Sequence, residues 1–267
     1  MKIIKRVFTL LFAAVLLLAC VGCGSTATVT FFKAGKADAA VVQTKNAVIL
    51  VDAGLAKNSA DLIEDLQALG VEAIDVFIVS HFDKDHVGGA ADVIDVFPIG
   101  TVYQSNCPKE SDEHKSYLAA LAAAGIEPVT VTDTVSFHLD GLHVTIDGPA
   151  SETYAVDPSN NSSLIASVTK GSTTVLFTGD AENARLSEYQ TEFRRPSGKL
   201  ILKVPYHGHW QSSLPAFLTA AAPDIAVIPC SKDEPSATEL SFVTELLEGL
   251  GAETYLTYNG DVSFPLS

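Results

Sequence analysis

Residues 80–89 read Ser-His-Phe-Asp-Lys-Asp-His-Val-Gly-Gly, and this run limits the possible folds more than any other part of the chain. Two imidazoles and two carboxylates crowd between His81 and His86, with no apolar periodicity to explain them. Residues 74–79 before the run are mostly apolar and read as a buried strand. Gly88-Gly89 then opens a helix that ends before Pro98. Such a cluster at the end of a buried strand is costly unless something compensates it. A pair of divalent metals does so directly, with nitrogen from His and oxygen from Asp. The bland alternative is a solvated polar loop. Three other segments favour the metal: Val51-Asp52-Ala53-Gly54, Phe177-Thr178-Gly179-Asp180 and Pro205-Tyr206-His207-Gly208. Each sits at the end of an expected apolar strand, and each sets a polar residue near a Gly, as tight turns require. Four such strand ends predict one site at one edge of the sheets.

The remaining pattern supplies those sheets. Residues 28–32, 39–43 and 47–52 read as strands, with Lys45-Asn46 as a turn. Asn58 or Ser59 can cap a helix running to about residue 69, stopped by Gly70. Residues 101–104 are strand-like, 113–124 form an alanine-rich helix, and 129–147 break into hairpin pieces. A hairpin spans 164–168 and 173–178. Residues 181–193 read as helix and 200–204 as a buried strand. Residues 214–222, 225–229 and 238–250 read as helix, strand and helix. A last hairpin is expected over Asn259-Gly260, between 255–258 and 262–264. No Pro/Gly/Ser-rich linker divides the chain, so one domain is expected, with layered sheets and helices outside.

The start of the chain is different. Residues 1–6 are basic, and 7–19 are apolar apart from Thr9. A stretch of about 13 residues is short for a membrane span, and the pattern is that of a secretory signal. Leu17-Leu18-Ala19-Cys20 resembles a bacterial lipobox, in which Cys20 would be lipidated and would anchor the protein. An ordinary cleaved signal that happens to contain a Cys is the other reading. The expected organisation is a lipoprotein signal over 1–19, a tether over 20–27 and a single domain over 28–267. Cys107 and Cys230 could form a bridge, which an exported protein allows, or remain buried thiols. Removing Lys2, Lys5 and Arg6 moves the net charge from −15 to −18. A surface of that sign repels polyanions and argues against broad electrostatic binding of nucleic acid. Hydrophobic content of 47% excludes a disordered chain.

Taken in order, these segments resemble the metallo-β-lactamase superfamily, and within it the hydrolase domain of ComEC-type DNA-internalisation competence proteins. The resemblance covers about residues 28 to 264. Lys33-Ala34-Gly35-Lys36-Ala37-Asp38-Ala39 stands where relatives show Gly-x-Gly-Asp-Ala. Asp52 matches the first superfamily Asp, and the His-x-Asp-x-Asp-His run matches together with its Gly-Gly. Asn160-Asn161-Ser162-Ser163-Leu164 resembles an Asn-x-x-Ser-Leu stretch of this branch. Asp180 matches the bridging Asp and His207 the last ligand histidine.

The resemblance implies an α/β fold, a four-layer αβ/βα sandwich. It implies two divalent ions, zinc or manganese, with His81 and Asp83 at the first and Asp85, His86 and His207 at the second. Asp180 would bridge them, and Asp85 would also serve catalysis. Asp52 would hold the ligand loop. Asn160 falls where many members place a third histidine, and would be a weak ligand or orient substrate; Asn161 is the fallback. Asp83 replaces a usual His of penicillin-cleaving relatives, which makes the first site harder and weaker.

The chain departs from the branch at Tyr206-His207-Gly208-His209, where His-His-Gly-Ser is common. Tyr206 could still donate to a leaving oxygen. Lys36 replaces a neutral polar residue, and Cys230-Ser231-Lys232-Asp233-Glu234-Pro235 lacks a histidine found in relatives. His114 is expected to be solvated, and His138 and His143 to be surface strand residues. His209 is read at the substrate or on the rim, and Trp210 at the mouth or in a core or interface.

The expected function is hydrolysis by a metal-activated water, foremost of a phosphodiester such as DNA, a nucleotide or another diester. The partner would be a small or short anionic substrate, long nucleic acid being disfavoured by charge. Acyl or lactam hydrolysis and a catalytically degraded lipoprotein binding module are the alternatives. The expected location is the outer face of the cell membrane, through the lipid anchor. The sequence sets no oligomeric state.

Overall fold

The structure is a computed structural model that describes residues 26–151 and 153–267. Cys20, Cys23 and the signal over 1–19 lie outside these residues. Two seven-stranded mixed sheets pack face to face with helices on both outer sides, the expected four layers.

The first sheet contains β1 (Ala27–Phe31), β2 (Ala39–Gln43), β3 (Val48–Ala53), β4 (Ile74–Val79), β5 (Ile99–Gln104) and β6 (Val129–Thr130) in that order. The second runs β7 (Val135–Leu139), β8 (Leu142–Asp147), β9 (Ile165–Lys170), β10 (Thr173–Phe177), β11 (Lys199–Lys203), β12 (Ile225–Ile228) and β13 (Glu253–Leu256). The last strand, β14 (Val262–Leu266), returns to the first sheet and pairs antiparallel with β1.

The sequence pattern explains the layers. Inward residues such as Val29, Phe31, Ile49, Val51, Ile78, Val144, Val168, Val175 and Ile201 fill the space between the sheets. The alternate residues Leu50, Phe77 and Val79 meet α1 (Ser59–Ala68), α3 (Ala90–Val96) and α4 (Asp112–Ala124) on one outer side. On the other side Leu200, Leu202, Ala226 and Ile228 meet residues of α6 (Asn183–Glu192), α7 (Leu214–Ala221) and α8 (Ala237–Gly249). Strands covered on both faces read as near-continuous apolar runs, which is why 74–79 and 200–204 stand out in the sequence. Two one-turn helices, α2 (Lys84–Val87) and α5 (Pro158–Asn161), complete the described elements that bear on the site.

Two expectations are corrected. Asn259-Gly260 is not a hairpin turn, because β13 pairs with β12 while β14 crosses to the other sheet. The local signal of two short strands around Asn-Gly is the same in both cases, and only the edge of β1 available for pairing decides. His114 is not solvated: it is buried, stacks on Phe82 at 4.0 Å and holds the Lys109 carbonyl through Nδ1 at 2.7 Å. His138 and His143 are exposed strand residues as expected. Cys107 and Cys230 are free thiols, so the bridge does not form.

Neighbouring strands β3 to β6 and β10 to β13 are parallel, joined through helices. Residues just past the carboxyl ends of parallel strands face a common crevice. Asp52, the 80–89 run, Asp180, Lys203 and His207 all stand at such ends.

Candidate metal centre

Backbone geometry first brings the strand ends together. Asp52 has φ +56 and is followed by Gly54 at φ +65, so β3 ends in a sharp turn. Gly89 N–H donates to the Gly54 carbonyl at 3.1 Å, and a Cβ on Gly89 would stand 2.3 Å from the Ala53 oxygen. The Gly-Gly pair is therefore what lets the histidine loop close against the end of β3. Tyr206 and His207 both adopt positive φ, +49 and +52. Two successive non-glycine residues in that region are strained, and such strain persists where the surroundings fix it, typically at functional sites.

Within this frame three histidines converge. His86 lies with its ring centroid 4.1 Å from that of His81 and 5.3 Å from that of His207. All three are buried, and each has its Nδ1 engaged away from the others. His86 Nδ1 is 2.8 Å from Asp52 Oδ2. His207 Nδ1 is 3.0 Å from the Pro229 carbonyl, so it donates there and leaves Nε2 with a bare lone pair. Ser80 Oγ gives its one proton to Asp52 Oδ2 at 2.7 Å, so it accepts from His81 Nδ1 at 3.1 Å and leaves His81 Nε2 bare as well. The Nε2 atoms of His81, His86 and His207 are all buried without a hydrogen-bond partner. Holding one imidazole nitrogen so that the other is free for a cation is the role of outer partners in metal sites.

Asp180 faces these nitrogens. Its Oδ1 is 3.2 Å from His86 Nε2 and its Oδ2 is 3.1 Å from His207 Nε2. A bare lone pair and a carboxylate oxygen at that distance repel unless a positive charge lies between them. His81, His86 and Asp180 offer ligand atoms within 4.8 Å of one another, and so do Asp85, His86 and His207. Asp85 Oδ2 is 3.7 Å from His207 Nε2. The mixed nitrogen and oxygen donors fit zinc or manganese.

The electrostatics agree. Burial disfavours charge on His86 most strongly, but Asp180, Asp52 and Asp38 together overcome it and raise its pKa well above 6.5. For His81 burial and the neighbouring His86 push the value down to about 4, so its ring is neutral at pH 7. Asp180 is buried, yet His207, His86 and Lys203 hold its carboxyl well below the usual range.

These directions make a prediction for the metal-free protein. A raised value on His86 contributes stability that is present below about pH 6.5 and lost as pH rises through the folded value. A proton on His86 then competes with the cation for the ring. Titrating zinc or manganese at neutral pH should release about one proton per chain as His86 takes the ion. Calorimetry in buffers of different ionisation heats measures this; a proton count of zero would refute the role given to His86.

Two cations and one serine were missed by sequence reasoning. Lys203, at the end of β11, is 2% exposed and sits 2.5 Å from Asp38 Oδ2 and 3.3 Å from Asp180 Oδ1. Its Nζ also donates to the Gly179 carbonyl at 2.6 Å. Burial opposes its charge, but Asp38 and Asp180 raise its pKa. A lysine closing an apolar run beside a ligand turn was the available signal. Asp38 was noticed only as part of the opening motif; its backbone N–H donates to the Asp85 carbonyl at 3.0 Å, which ties that motif to the ligand loop.

The first site differs from the ligand set that the resemblance implies. Asp83 Oδ1 is 2.5 Å from Lys109 Nζ and accepts a short hydrogen bond from Ser159 Oγ. It lies 3.9 Å from His81 Nε2 and belongs to none of the clustered ligand groups among the described residues. Asn160 turns its amide to Glu182 Oε1 at 2.7 Å, and Asn161 caps the Arg185 N–H at 3.0 Å. Lys109, from a loop, and Ser159, from α5, are far apart in sequence, and no local pattern marked them.

Tyr206 faces this acid-rich mouth: burial, then Glu182, Asp180, Asp157 and Asp83, push its hydroxyl up to about 12. It stays protonated at pH 7 and can donate. Lys36 pairs with Glu234 at 3.0 Å and feels Asp85 and Asp180.

The family profile of the metallo-β-lactamase superfamily matches residues 33–232, which contain this whole centre. The chain belongs to the metallo-β-lactamase superfamily. The chain also resembles parts of longer bacterial proteins. ComE operon protein 3 of Bacillus subtilis (strain 168) is 31% identical over 183 residues, 64% of this chain and 22% of that protein. Competence protein ComA of Neisseria gonorrhoeae is 27% identical over 202 residues, 75% of this chain and 26% of that protein. The chain thus spans about a quarter of their length. Among solved structures, the metallo-β-lactamase fold protein YhfI from Bacillus subtilis superposes with a TM-score of 0.61 at 11% identity, over 90% of this chain and 99% of that one. A diphosphatase of the PhnP family superposes at 0.55 and 15% identity, over 90% and 98%. At these identities the likeness is one of fold. The superfamily places the chain among metal-dependent hydrolases.

Proposed function

We propose that the chain is a phosphodiesterase that uses two divalent ions, zinc or manganese, on a small or short anionic diester. The observation that carries this reading is the convergence on Asp180 of three buried Nε2 atoms without a hydrogen-bond partner. Bound ions would supply Lewis acidity and a water of lowered pKa. His81, His86, His207, Asp85 and Asp180 would hold them, with Asp83 completing the first site once Lys109 and Ser159 yield its oxygen. Asp52 keeps His86 in its tautomer. Tyr206 is placed to donate to a leaving oxygen. Lys36 and Lys109 put positive charge at a mouth whose carboxylates would otherwise repel phosphate. The competence-protein relatives and the PhnP-family diphosphatase lend support. The net charge of −15 disfavours long nucleic acid.

Acyl or lactam hydrolysis is the second reading, open to any fold of this kind. Asp83, in place of a histidine, and Asn160, turned to Glu182, weigh against it. A degraded lipoprotein binding module is the third, and the intact ligand set weighs against that. The proposal includes export and anchoring through Cys20 to the outer face of the cell membrane. Among the described residues no helix is long and apolar enough to cross a membrane.

The test is elemental analysis followed by hydrolysis of bis-p-nitrophenyl phosphate, linear DNA and nitrocefin with added manganese or zinc. The first substrate should turn over and Asp85→Ala should abolish this. Activity on nitrocefin alone sinks the proposal, and absence of both metal and activity favours the binding module. Mass spectrometry of the membrane fraction should find an acylated Cys20; an unmodified one refutes the anchor.

A further inference from the structure

Apolar residues left in water at the rim of a polar site call for an occupant. Seven large hydrophobic residues are substantially exposed among the described residues, and two of these are aromatic: Trp210 and Phe242. They are 47% and 57% exposed and lie against each other, with ring centroids 6.0 Å apart. The other five are scattered aliphatics of the ordinary kind. Trp210 stands three residues after His207, so its Cα lies within about 11 Å of that ligand's Cα even in a fully extended chain. Tyr206, in the ligand turn, has its ring 4.8 Å from that of His209, and His209 Nδ1 is 3.5 Å from Glu239 on α8. Phe242 is on the same helix, three residues further on. His209 thus touches both the ring of Tyr206 in the ligand turn and the helix whose Phe242 meets Trp210.

We infer that Trp210 and Phe242 form a stacking subsite for an unpaired nucleobase carried by the diester whose phosphate meets the metal centre. This rests on the phosphodiesterase reading and narrows its substrate class to nucleotides and short single strands. An exposed indole offers a flat face to a base of any identity, and stacking tolerates all of them. The Phe242 ring lies tilted at 55° beside it. The acidic surface leaves few cations to track a long backbone, so binding one base beside the scissile phosphate supplies affinity that electrostatics does not. His209, drawn to Glu239, spaces the two parts of the substrate. Bases inside a paired duplex have no free face, so the subsite favours single strands over double-stranded DNA.

The chain contains one tryptophan, so its fluorescence reports this position alone. Adenosine 5′-monophosphate should quench the emission of the full protein, and ribose 5-phosphate should not. In kinetics, the p-nitrophenyl ester of thymidine 5′-monophosphate should be preferred over methyl p-nitrophenyl phosphate. Trp210→Ala should lower that preference roughly 5- to 100-fold, through KM rather than kcat. Trp210→Phe should restore most of it, and Phe242→Ala should weaken quenching while keeping the reporter. Equal quenching by both phosphates, or an unchanged preference in Trp210→Ala, overturns the subsite and leaves phosphodiester hydrolysis standing. A sedimentation shift from dimer to monomer in Trp210→Ala with no change in preference shows a subunit interface, and also overturns it. Failure to cleave any diester counts against the parent reading, while the quenching experiment still decides the stacking.

Discussion

Asp180→Ala is expected to lower ion affinity by at least about 100-fold and to abolish hydrolysis, because loss of even an outer partner of a ligand typically costs 10- to 100-fold. Asp180 faces both His86 Nε2 and His207 Nε2, at 3.2 and 3.1 Å. Without it the two rings lose the group that would join two ions. The fold should survive, since Lys203 keeps Asp38 at 2.5 Å and His86 keeps Asp52 at 2.8 Å. The pKa of His86 should fall, because Asp180 is the strongest of the carboxylates that raise it. Elemental analysis, turnover of bis-p-nitrophenyl phosphate and NMR titration of His86 check the three parts. Full metal content in the variant would refute the bridging role.

Lys203→Met should cost the metal-free protein about 3–5 kcal/mol, the range for breaking a buried ion pair by removing one partner. Methionine fills a similar volume, so the loss is one of charge. Asp38 and Asp180 would then face His86 and His207 with one fewer cation. Bound zinc or manganese should replace part of the missing charge. The thermal midpoint should therefore rise more on adding metal to the variant than to the parent chain. Calorimetry with and without metal measures both. A loss of 1 kcal/mol or less, as for an exposed pair, would show that Lys203 does not hold the site together.

Both predictions turn on residues whose importance was unequally legible. Asp180 could be read because Thr178-Gly179-Asp180 closes an apolar strand with a tight turn, and because its place in the order of motifs is distinctive. Lys203 has no motif of its own. Its partners Asp38 and Asp180 are 165 and 23 positions away, and an ion pair between distant residues leaves no periodic trace. The same holds for Lys109 and Ser159 on Asp83, residues 26 and 76 positions from it. His114 was misjudged for a related reason: it starts a polar helix, but Phe82 from the ligand loop covers its ring.

The sequence by itself determined the strands, most helices, the four ligand-bearing turns and the identity of the candidate donors. These are set by local quantities: apolar runs, two-residue alternation, and the glycines that positive φ and close approach demand. Only the tertiary structure decided which sheet receives β14, why Asp83 is held by Lys109 and Ser159, and that Asn160 turns to Glu182. It also decided that Trp210 meets Phe242. Strand pairing across an edge, charge pairing and ring contact depend on distance in space, and separation along the chain does not encode it.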